Sequence, residues 1–384
     1  MQIRKVETIV VGNPWKNWVF VKLTTDESLE GIGEATKGLF TKPVVGAIEE
    51  ISDFCIGEDP TRIEHIWNKV YKALYLAEEP TILGAMCGIE MACWDILGKS
   101  LDVPVYRLLG GSVRERLRAY ANGWYQGPRD PSFFADRAKE VAESGYTALK
   151  FDPFGNAYRT LDNAELKKSM AIVEAVRRSL KPETDIIIEA HDRFSVSTAI
   201  RVGRALEEYQ PLWYEAPVLS SNVDALQAVA EGVSVPVAAG ERFATVRDFG
   251  RLLNRDIIDF ILPEPLRVGG ILRTKSICSM ADAYGAQIAI HNAQSPLCTA
   301  VNTHIGLSTP NVFIQECFDD FNQPWVADVV RSPARVVNGY LELDDRPGLG
   351  VELNEQEAAK YPYGKQNFLR LFDAGWERRR SDDT

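Results

Sequence analysis

The chain begins with three short runs rich in β-branched and apolar residues, separated by turn residues such as Gly12-Asn13-Pro14. These runs predict the strands of an antiparallel meander, over residues 3–11, 18–24 and 29–34. Apolar residues then recur at three- and four-residue spacing, which predicts helices over residues 42–56, 61–74 and 80–100. This first part, residues 1–114, is therefore predicted to be an α+β domain.

From about residue 115 the pattern changes to a strict alternation of short apolar strands and amphipathic helices. This alternation is typical of parallel βαβ units. Eight strands are predicted, over residues 117–122, 147–152, 186–190, 212–215, 236–240, 258–263, 287–291 and 312–316. Eight helix-linked strands favour a closed parallel barrel, although they could also lie in an open doubly wound sheet.

The alternation stops after residue 320, and residues 336–353 have the pattern of a hairpin. We expect this hairpin to return to the first part of the chain. The predicted organisation is an α+β domain over 1–114, a barrel domain over 115–325 and a C-terminal segment over 326–384 that returns to the first domain.

Ionisable residues stand at the end of nearly every predicted barrel strand after the first, about one strand–helix unit apart. They are Lys150, Asp152, Glu189, His191, Glu215, Glu241, Glu264, His291 and Glu316. In a parallel barrel the carboxyl ends of all strands meet at one rim, and barrel active sites form there. The spacing therefore predicts a catalytic site at this rim.

Three of these residues, Glu189, Glu215 and Glu241, lie in successive units. Any one of them alone could be a helix N-cap or a surface charge. Three carboxylates that converge on one rim would repel each other and raise each other's pKa unless a cation neutralised them. Hard oxygen ligands suit Mg²⁺, so the set predicts a divalent-metal site.

Two of the four histidines, His191 and His291, fall on the predicted rim. His191 lies two residues after Glu189, and the period-two alternation of a strand would point both into the same mouth; it could instead be an N-cap or loop residue. His291 could be a buried histidine bonded to backbone, but Glu264 at the end of the preceding strand could orient it as a base. His65 and His304 are predicted to be structural.

The remaining rim residues have two interpretations each. Lys150 could extend from the rim into solvent, or serve as an electrophile or carboxylate contact beside the metal. Asp152 could be a partner of Lys150, a polar group that contacts substrate, or a turn residue before Pro153. Glu316 could be structural or catalytic. Trp124 and Tyr125, just past the first barrel strand, could contact substrate or pack under a loop.

Composition and charge exclude several classes of protein. The 384 residues are 45% hydrophobic and 25% charged, which is ordinary for a globular protein, and the net charge of −11 argues against a nucleic-acid or membrane-surface partner. The six cysteines form no CxxC pair and are predicted to be reduced core residues. No secretory signal pattern is present at the start, so we expect a cytoplasmic protein.

Several stretches of the chain resemble the mandelate racemase branch of the enolase superfamily, the mandelate racemase/muconate lactonizing enzyme family. The resemblance covers nearly the whole chain and is carried by SGYTALKFDPFG (144–155), IIIEAHDRF (186–194), WYEAP (213–217), VAAGER (237–242), PEPLRVGGI (263–271), AIHNAQSP (289–296), IQE (314–316) and PGLGVE (347–352). It implies an α/β fold: a modified (β/α)7β TIM-like barrel under an N-terminal α+β capping domain that the C-terminal segment completes.

The resemblance also implies roles for the rim residues. Glu189, Glu215 and Glu241 match the metal ligands, with one Mg²⁺ per active site, and His291 matches the general base. Glu264 stands where the family usually has an aspartate paired to that histidine. His191 matches the acid of sugar-acid dehydratases, and Glu316 the residue that bonds the substrate carboxylate or enediolate. Where relatives with a second base carry KxK, this chain has Lys150-Phe151-Asp152.

Within the branch, YANGWYQ (120–126), ALKFDPFG and the E-x-H-x-R-F pattern are most similar to gluconate and galactonate dehydratases. The implied reaction removes water from an aldonic acid and gives a 2-keto-3-deoxy acid. Loops at 12–17 and 36–41 are expected to contact the substrate. Two alternatives stay open: an epimerase or cycloisomerase on the same scaffold, and a non-catalytic sugar-acid sensor. The expected partners are a small sugar acid and further copies of the chain.

Overall fold

A computed structural model describes residues 1–76 and 78–378. Its N-terminal part is the predicted meander packed against helices. The strands are β1 (Ile3–Asn13), β2 (Lys16–Thr25) and β3 (Glu30–Glu34), paired antiparallel in that order, and the helices are α1 (Thr41–Ser52), α2 (Ile63–Ala73), α3 (Pro80–Ser100) and α4 (Val105–Leu108). All three predicted strands and all three predicted helices of this domain are confirmed.

Helix α3 is the core of this domain. It begins at Pro80, where the Glu79 carboxylate caps the backbone N–H groups of Thr81 and Ile82. It is also long and apolar enough to cross a membrane, but 83% of its apolar window is buried inside the protein. Strand β3 lies directly against α3. The approach requires glycine at Gly31 and Gly33, because a Cβ at either position would come within 2.2 Å of an α3 carbonyl oxygen. The composition of α3 is therefore that of a core helix.

The second part is the closed barrel. Its strands are β4 (Leu117–Ala121), β5 (Ala148–Phe151), β6 (Asp185–Glu189), β7 (Trp213–Glu215), β8 (Val237–Ala239), β9 (Phe260–Ile261), β10 (Gln287–Ile290) and β11 (Val312–Cys317). Each strand pairs in parallel with the next, and β11 pairs with β4, so all eight predicted strands close into one barrel. The open doubly wound alternative is excluded.

Helices surround the barrel and side chains fill it. The helices are α5 (Pro131–Glu143), α6 (Asn163–Ser179), α7 (Val196–Leu206), α8 (Val223–Gly232), α9 (Val246–Leu253), α10 (Pro265–Val268), α11 (Ile271–Ala283) and α12 (Pro296–Leu307). The interior layer combines large residues with small ones: Tyr120, Ala148, Ile187, Trp213, Ala238, Leu262, Ala289 and Ile314. This packing leaves a solid core, so ligands can enter only at the rim.

The C-terminal part contains α13 (Val326–Val329), β12 (Val330–Arg331), β13 (Ala334–Val337), β14 (Tyr340–Leu343), β15 (Glu352–Leu353) and α14 (Glu355–Ala358). Strands β13 and β14 form a hairpin at the start of the span predicted over 336–353; this hairpin lies on the barrel, whereas later residues of the same span contact the first domain, as where the Gly348 N–H donates to the Val103 carbonyl at 2.9 Å. Strand β14 pairs antiparallel with β4 at Leu117 and Arg118. Strand β5 pairs with β4 only at Ala121, so the start of β4 has open backbone groups on that edge, and β14 fills them: the Ala119 N–H donates to the Gly339 carbonyl at 2.9 Å.

The chain beyond the hairpin does contact the first domain. The Asp95 carboxylate on α3 accepts the Leu349 N–H at 2.8 Å. Further on, the Gly12 N–H donates to the Tyr361 carbonyl at 2.7 Å and Asn17 Nδ2 to the Gly364 carbonyl at 2.8 Å. The part of the predicted 326–384 segment that reaches residue 378 is thus shared between the barrel and the first domain.

Two buried glutamates join the first domain to the barrel. Glu90 on α3 accepts the Ile271 and Leu272 N–H groups at the start of α11, at 2.9 and 3.0 Å. Glu34 on β3 accepts from Ser295, whose hydroxyl lies 2.5 Å away in the loop that follows β10. Both carboxylates are fully desolvated, and burial raises the pKa of Glu90 to about 7 despite these donors. These contacts set the position of the first domain over the barrel rim.

Candidate active site

The three predicted metal ligands converge at the rim. Glu189 and Glu215 end adjacent strands and are direct partners in the parallel ladder, so their side chains are neighbours. Glu241 follows β8 after Gly240, whose φ is +137°. A Cβ at Gly240 would lie 2.8 Å from the Phe249 ring, so only glycine allows this turn. Each glutamate offers one oxygen, and these oxygens lie within 4.8 Å of one another.

The donor set fits a hard divalent cation. It consists of carboxylate oxygens only, and Glu189 and Glu215 are buried. Burial and the neighbouring Glu189 together raise the pKa of Glu215 well above its ordinary value. A cation bound between the three carboxylates would offset this repulsion, and Mg²⁺ and similar ions prefer oxygen ligands.

Lys150 lies at the centre of the acidic groups. Its ammonium is 2.6 Å from Glu215, 2.9 Å from Glu316 and 3.1 Å from Glu189, and its side chain is 2% exposed. The alternative in which Lys150 extends into solvent is therefore excluded. Burial lowers the pKa of Lys150, but the surrounding carboxylates outweigh burial and hold that pKa well above its ordinary value. Lys150 is thus a fixed positive charge beside the three glutamates.

His291 stands on the other side of the triad, at the end of β10. Its Nε2 is 2.9 Å from Glu241 and its Nδ1 is 3.2 Å from Glu264. Among the described residues Nδ1 has no partner in hydrogen-bond geometry, so the second contact is an ion pair rather than an aligned bond. His291 and Glu264 are therefore close together, as predicted, but the two side chains are not oriented for a hydrogen bond.

Glu264 is held by two residues that sequence reasoning missed. Gln294 Nε2 donates to its Oε1 at 2.6 Å, and Arg267 Nε lies 3.3 Å from its Oε2. Burial raises the pKa of Glu264, but His291, Arg267 and Lys37 outweigh burial and lower that pKa to about 2. Glu264 is therefore ionised throughout the working pH range.

His191 follows Glu189, and its backbone N–H donates to the Glu189 carboxylate at 2.6 Å. Its Nδ1 lies 2.7 Å from Asp152, which also binds Arg193. The prediction that Asp152 contacts substrate is wrong, because its side chain is fully buried and both of its oxygens are engaged within the protein. Asp152 is not the partner of Lys150 either; it turns towards His191 and the Phe154 N–H.

Glu316 ends β11 and is fully buried. Its Oε1 accepts from Asn122 Nδ2 at 2.6 Å and its Oε2 from the Asn292 N–H at 2.8 Å, while His291 Nε2 lies 3.5 Å away. Glu316 therefore bridges the lysine and histidine sides of the rim. Asn122 was missed, although its position directly after the first barrel strand is the same signal that identified the other rim residues.

The rim encloses a cavity of about 580 Å³. The cavity is lined by Lys150, His191, Glu241, Glu264 and His291. The structure therefore brings the predicted acid, the predicted base and one predicted metal ligand to the same cavity. Tyr125 lines the cavity, as predicted. The prediction for Trp124 is wrong, because Trp124 lies behind β5, where it packs on Phe134 and Phe151 and donates to the Lys150 carbonyl at 2.9 Å.

Two other segments cover the cavity. Trp15, Lys16, Gly38 and Leu39 from the first domain line it, in agreement with the loops expected at 12–17 and 36–41. The second cover is a C-terminal segment, residues 365–373 with Trp376, which sequence reasoning missed. This segment has no helical or strand periodicity by which it could have been recognised.

A larger and more open groove, of about 830 Å³, lies between α2 and helices α9 and α11. Trp67, Arg247 and Arg273 are among its lining residues, but the described lining includes none of the predicted site residues. Volume alone therefore does not locate the chemistry, and the smaller cavity is the candidate active site.

Comparison with known proteins agrees with this geometry. Residues 6–110 match the mandelate racemase / muconate lactonizing enzyme N-terminal domain, and residues 134–357 match the enolase C-terminal domain-like family. The chain is 37% identical over 367 residues to a D-gluconate/D-galactonate dehydratase of Picrophilus torridus, covering 95% of this chain and 94% of the relative. It is 32% identical to a D-gluconate dehydratase of Thermoproteus tenax, covering 94% of this chain and 74% of that one.

The fold also matches solved structures. An enolase from Pantoea ananatis with bound D-gluconate and Mg superposes with a TM-score of 0.85 at 30% identity, over 94% of this chain and 95% of that one. Both parts of the chain thus match the domains of one enzyme family. The chain belongs to the mandelate racemase/muconate lactonizing enzyme family of the enolase superfamily.

Proposed function

We propose that this protein is a Mg²⁺-dependent sugar-acid dehydratase that converts an aldonic acid to a 2-keto-3-deoxy acid. The observation that carries the proposal is that two histidines, His191 and His291, line one cavity together with Lys150 and with Glu241, whose carboxylate lies within 4.8 Å of those of Glu189 and Glu215. An elimination of water needs a base and an acid at different atoms of one substrate, and this arrangement provides both.

Glu189, Glu215 and Glu241 would hold the metal. When bound, Mg²⁺ acts as a Lewis acid that offsets the negative charge developing on the substrate carboxylate. Lys150 adds a second fixed positive charge, since it is buried and contacts Glu189, Glu215 and Glu316. Preorganised charges of this kind, aimed at the atoms where charge develops, are usually the largest contribution to catalysis.

The proton transfers fall to the histidines. His291 removes the C2 proton of the substrate, and the ionised Glu264 stabilises the imidazolium that results. His191 delivers a proton to the departing 3-OH, because hydroxide is a poor leaving group. A positioned acid typically contributes about 10²–10⁴-fold. The resulting enol then becomes the 2-keto-3-deoxy acid.

The second barrel strand argues against racemisation. A racemase needs a base on each face of C2, and the position available for a second base is occupied by Asp152. This carboxylate is fully buried and bound to Arg193 and His191, so it cannot reach the substrate. Proton abstraction is therefore proposed to occur from the His291 face alone.

The proposed substrates are gluconate, galactonate or a pentonate. The names of the two curated relatives support the six-carbon acids. The cavity of about 580 Å³ is large enough for an extended chain of this length. We also propose a homo-oligomer in the cytoplasm; light scattering on the purified protein would determine the oligomeric state.

A screen of acid sugars with Mg²⁺ tests the function. We expect at least one aldonic acid to yield a 2-keto acid that semicarbazide traps, with a product mass lower than the substrate by one water. An unchanged product mass would indicate an epimerase or cycloisomerase. Binding of aldonic acids without any turnover would indicate a sensor. Either result would overturn the proposal.

A further inference from the structure

His191 is held in an unusual backbone conformation. His191 and the next residue, Asp192, both have left-handed φ values, +50° and +60°. For residues other than glycine this conformation costs about 1–2 kcal/mol each. Such strain persists only where the surroundings impose it, and strained residues of this kind cluster at functional sites. The contacts that hold this backbone conformation therefore also determine the orientation of the His191 ring.

Those contacts come from the neighbouring turns. Asp192 Oδ1 accepts the Ser220 hydroxyl at 2.5 Å, and the Asp192 N–H donates to the Ala216 carbonyl at 2.8 Å. Trp376 meets the imidazole of His191 edge-on, with ring centroids 6.2 Å apart. These contacts fix the backbone at His191 and one edge of its ring. The tautomer of the ring then depends on the hydrogen-bond partner of Nδ1.

Asp152 supplies the partner of Nδ1. It stands at the end of the neighbouring barrel strand, and its Oδ2 lies 2.7 Å from His191 Nδ1 and also binds Arg193. Its Oδ1 accepts the Phe154 N–H at 2.9 Å. Arg193 is itself buried, and it donates further to the Ala190 and Gly155 carbonyls at 2.9 and 2.6 Å. The buried ion pair is therefore fully satisfied, and neither charge is available to a ligand.

We propose that Asp152, locked by Arg193, is a positioning residue that keeps the His191 Nδ1 protonated and directs Nε2 at the leaving hydroxyl. This inference rests on the proposed dehydratase function. In the step concerned, the C3–O bond breaks with its electron pair on oxygen, and that oxygen takes the proton from Nε2 and leaves as water. The Nδ1 proton stays on the ring, bonded to Asp152. Without the carboxylate, the ring can adopt the other tautomer and turn.

The test is Asp152→Asn with D-gluconate and D-galactonate in D₂O, with Mg²⁺ present. We expect dehydration to fall by about 10²-fold or more while exchange of the C2 hydrogen changes by less than about threefold, because His291 is untouched. Loss of both activities in parallel, or of neither, would overturn the proposal. The matched control is Asp95→Asn, a buried aspartate paired with Lys99 away from the cavity, which should leave the ratio of the two rates unchanged.

Two further measurements keep the test decisive. If the unpaired Arg193 prevents folding of Asp152→Asn, the neutral pair Asp152→Asn with Arg193→Gln should show the same split between dehydration and exchange. In a His191→Asn background, Asp152→Asn should cause no further fall in the ratio of dehydration to exchange. If Asp152 were merely structural, Asp152→Asn would lower this ratio as much in the His191→Asn background as in the wild type. If the wild type turns over neither acid, the same comparison is made with the aldonic acid that the screen identifies; if the screen identifies none, the proposed function fails, and not the positioning role.

Discussion

Acid should destabilise the protein through His304, a buried histidine on α12. The Tyr106 N–H donates to its Nδ1 at 3.1 Å, and its Nε2 lies 3.3 Å from the Leu349 carbonyl, so the neutral ring satisfies both contacts. A second proton would sit on Nδ1, directly against the Tyr106 N–H. Burial accordingly lowers the pKa of His304 from 6.5 to about 4. Because the folded-state pKa is lowered, the stabilisation is present above pH 6.5 and is lost as the pH falls towards 4.

The magnitude follows from that interval. At about 1.4 kcal/mol per pH unit, a fall from 6.5 to about 4 amounts to about 3 kcal/mol in full, of which about 2 kcal/mol is lost by pH 5. The assay is urea unfolding followed by tryptophan fluorescence between pH 5 and 8, comparing wild type with His304→Asn. The variant lacks the titration, so the fixed cost of its smaller side chain cancels from the pH dependence.

We expect the free energy of unfolding of the wild type to fall relative to the variant by about 2 kcal/mol between pH 7.5 and 5. The control is His65→Asn, which removes a histidine whose side chain is 42% exposed beside Glu58. A constant difference between wild type and His304→Asn across the pH range would refute the reasoning.

Three other predictions concern the metal, the base and the domain contact. EDTA should abolish activity and Mg²⁺ should restore it, and Glu215→Gln should weaken Mg²⁺ binding in calorimetry without unfolding the barrel; full activity of metal-free protein would contradict the triad. Glu264→Gln should slow C2 exchange and lower the apparent basic pKa of the rate profile, with Glu264→Asp as the charge-conserving control. Glu90→Gln should lower the free energy of unfolding by about 1–3 kcal/mol in urea, because an amide cannot accept from the α11 N-terminus and Trp94 as the carboxylate does.

The barrel was predictable because each of its strands and helices can be recognised from the local sequence pattern alone. Each strand and helix carries its own apolar period, and the rim residues follow from counting to the end of each strand. The partner of the β13–β14 hairpin was not predictable in this way. It depends on which part of β4 remains unpaired beside β5, and that is a property of the assembled fold.

The site was predictable to the same extent. The charged residues at the strand ends were predicted, while Asn122 and the residues that reach the rim through long side chains or from aperiodic chain were not. Arg193 lies two residues after His191, yet its guanidinium reaches back to Asp152 on another strand. The alternation of a strand also fails just past its end, which is why Trp124 and Asp152 face away from the cavity.

The central claim is that His291 is the base at C2 and His191 the acid at the 3-OH. Proton NMR of the aldonic acid in D₂O with Mg²⁺ tests it directly, using His291→Asn and His191→Asn. His291→Asn should lose both C2 exchange and dehydration, whereas His191→Asn should lose dehydration and retain C2 exchange from one face. If His291→Asn still exchanged the C2 hydrogen while His191→Asn did not, the assignment of base and acid would be contradicted.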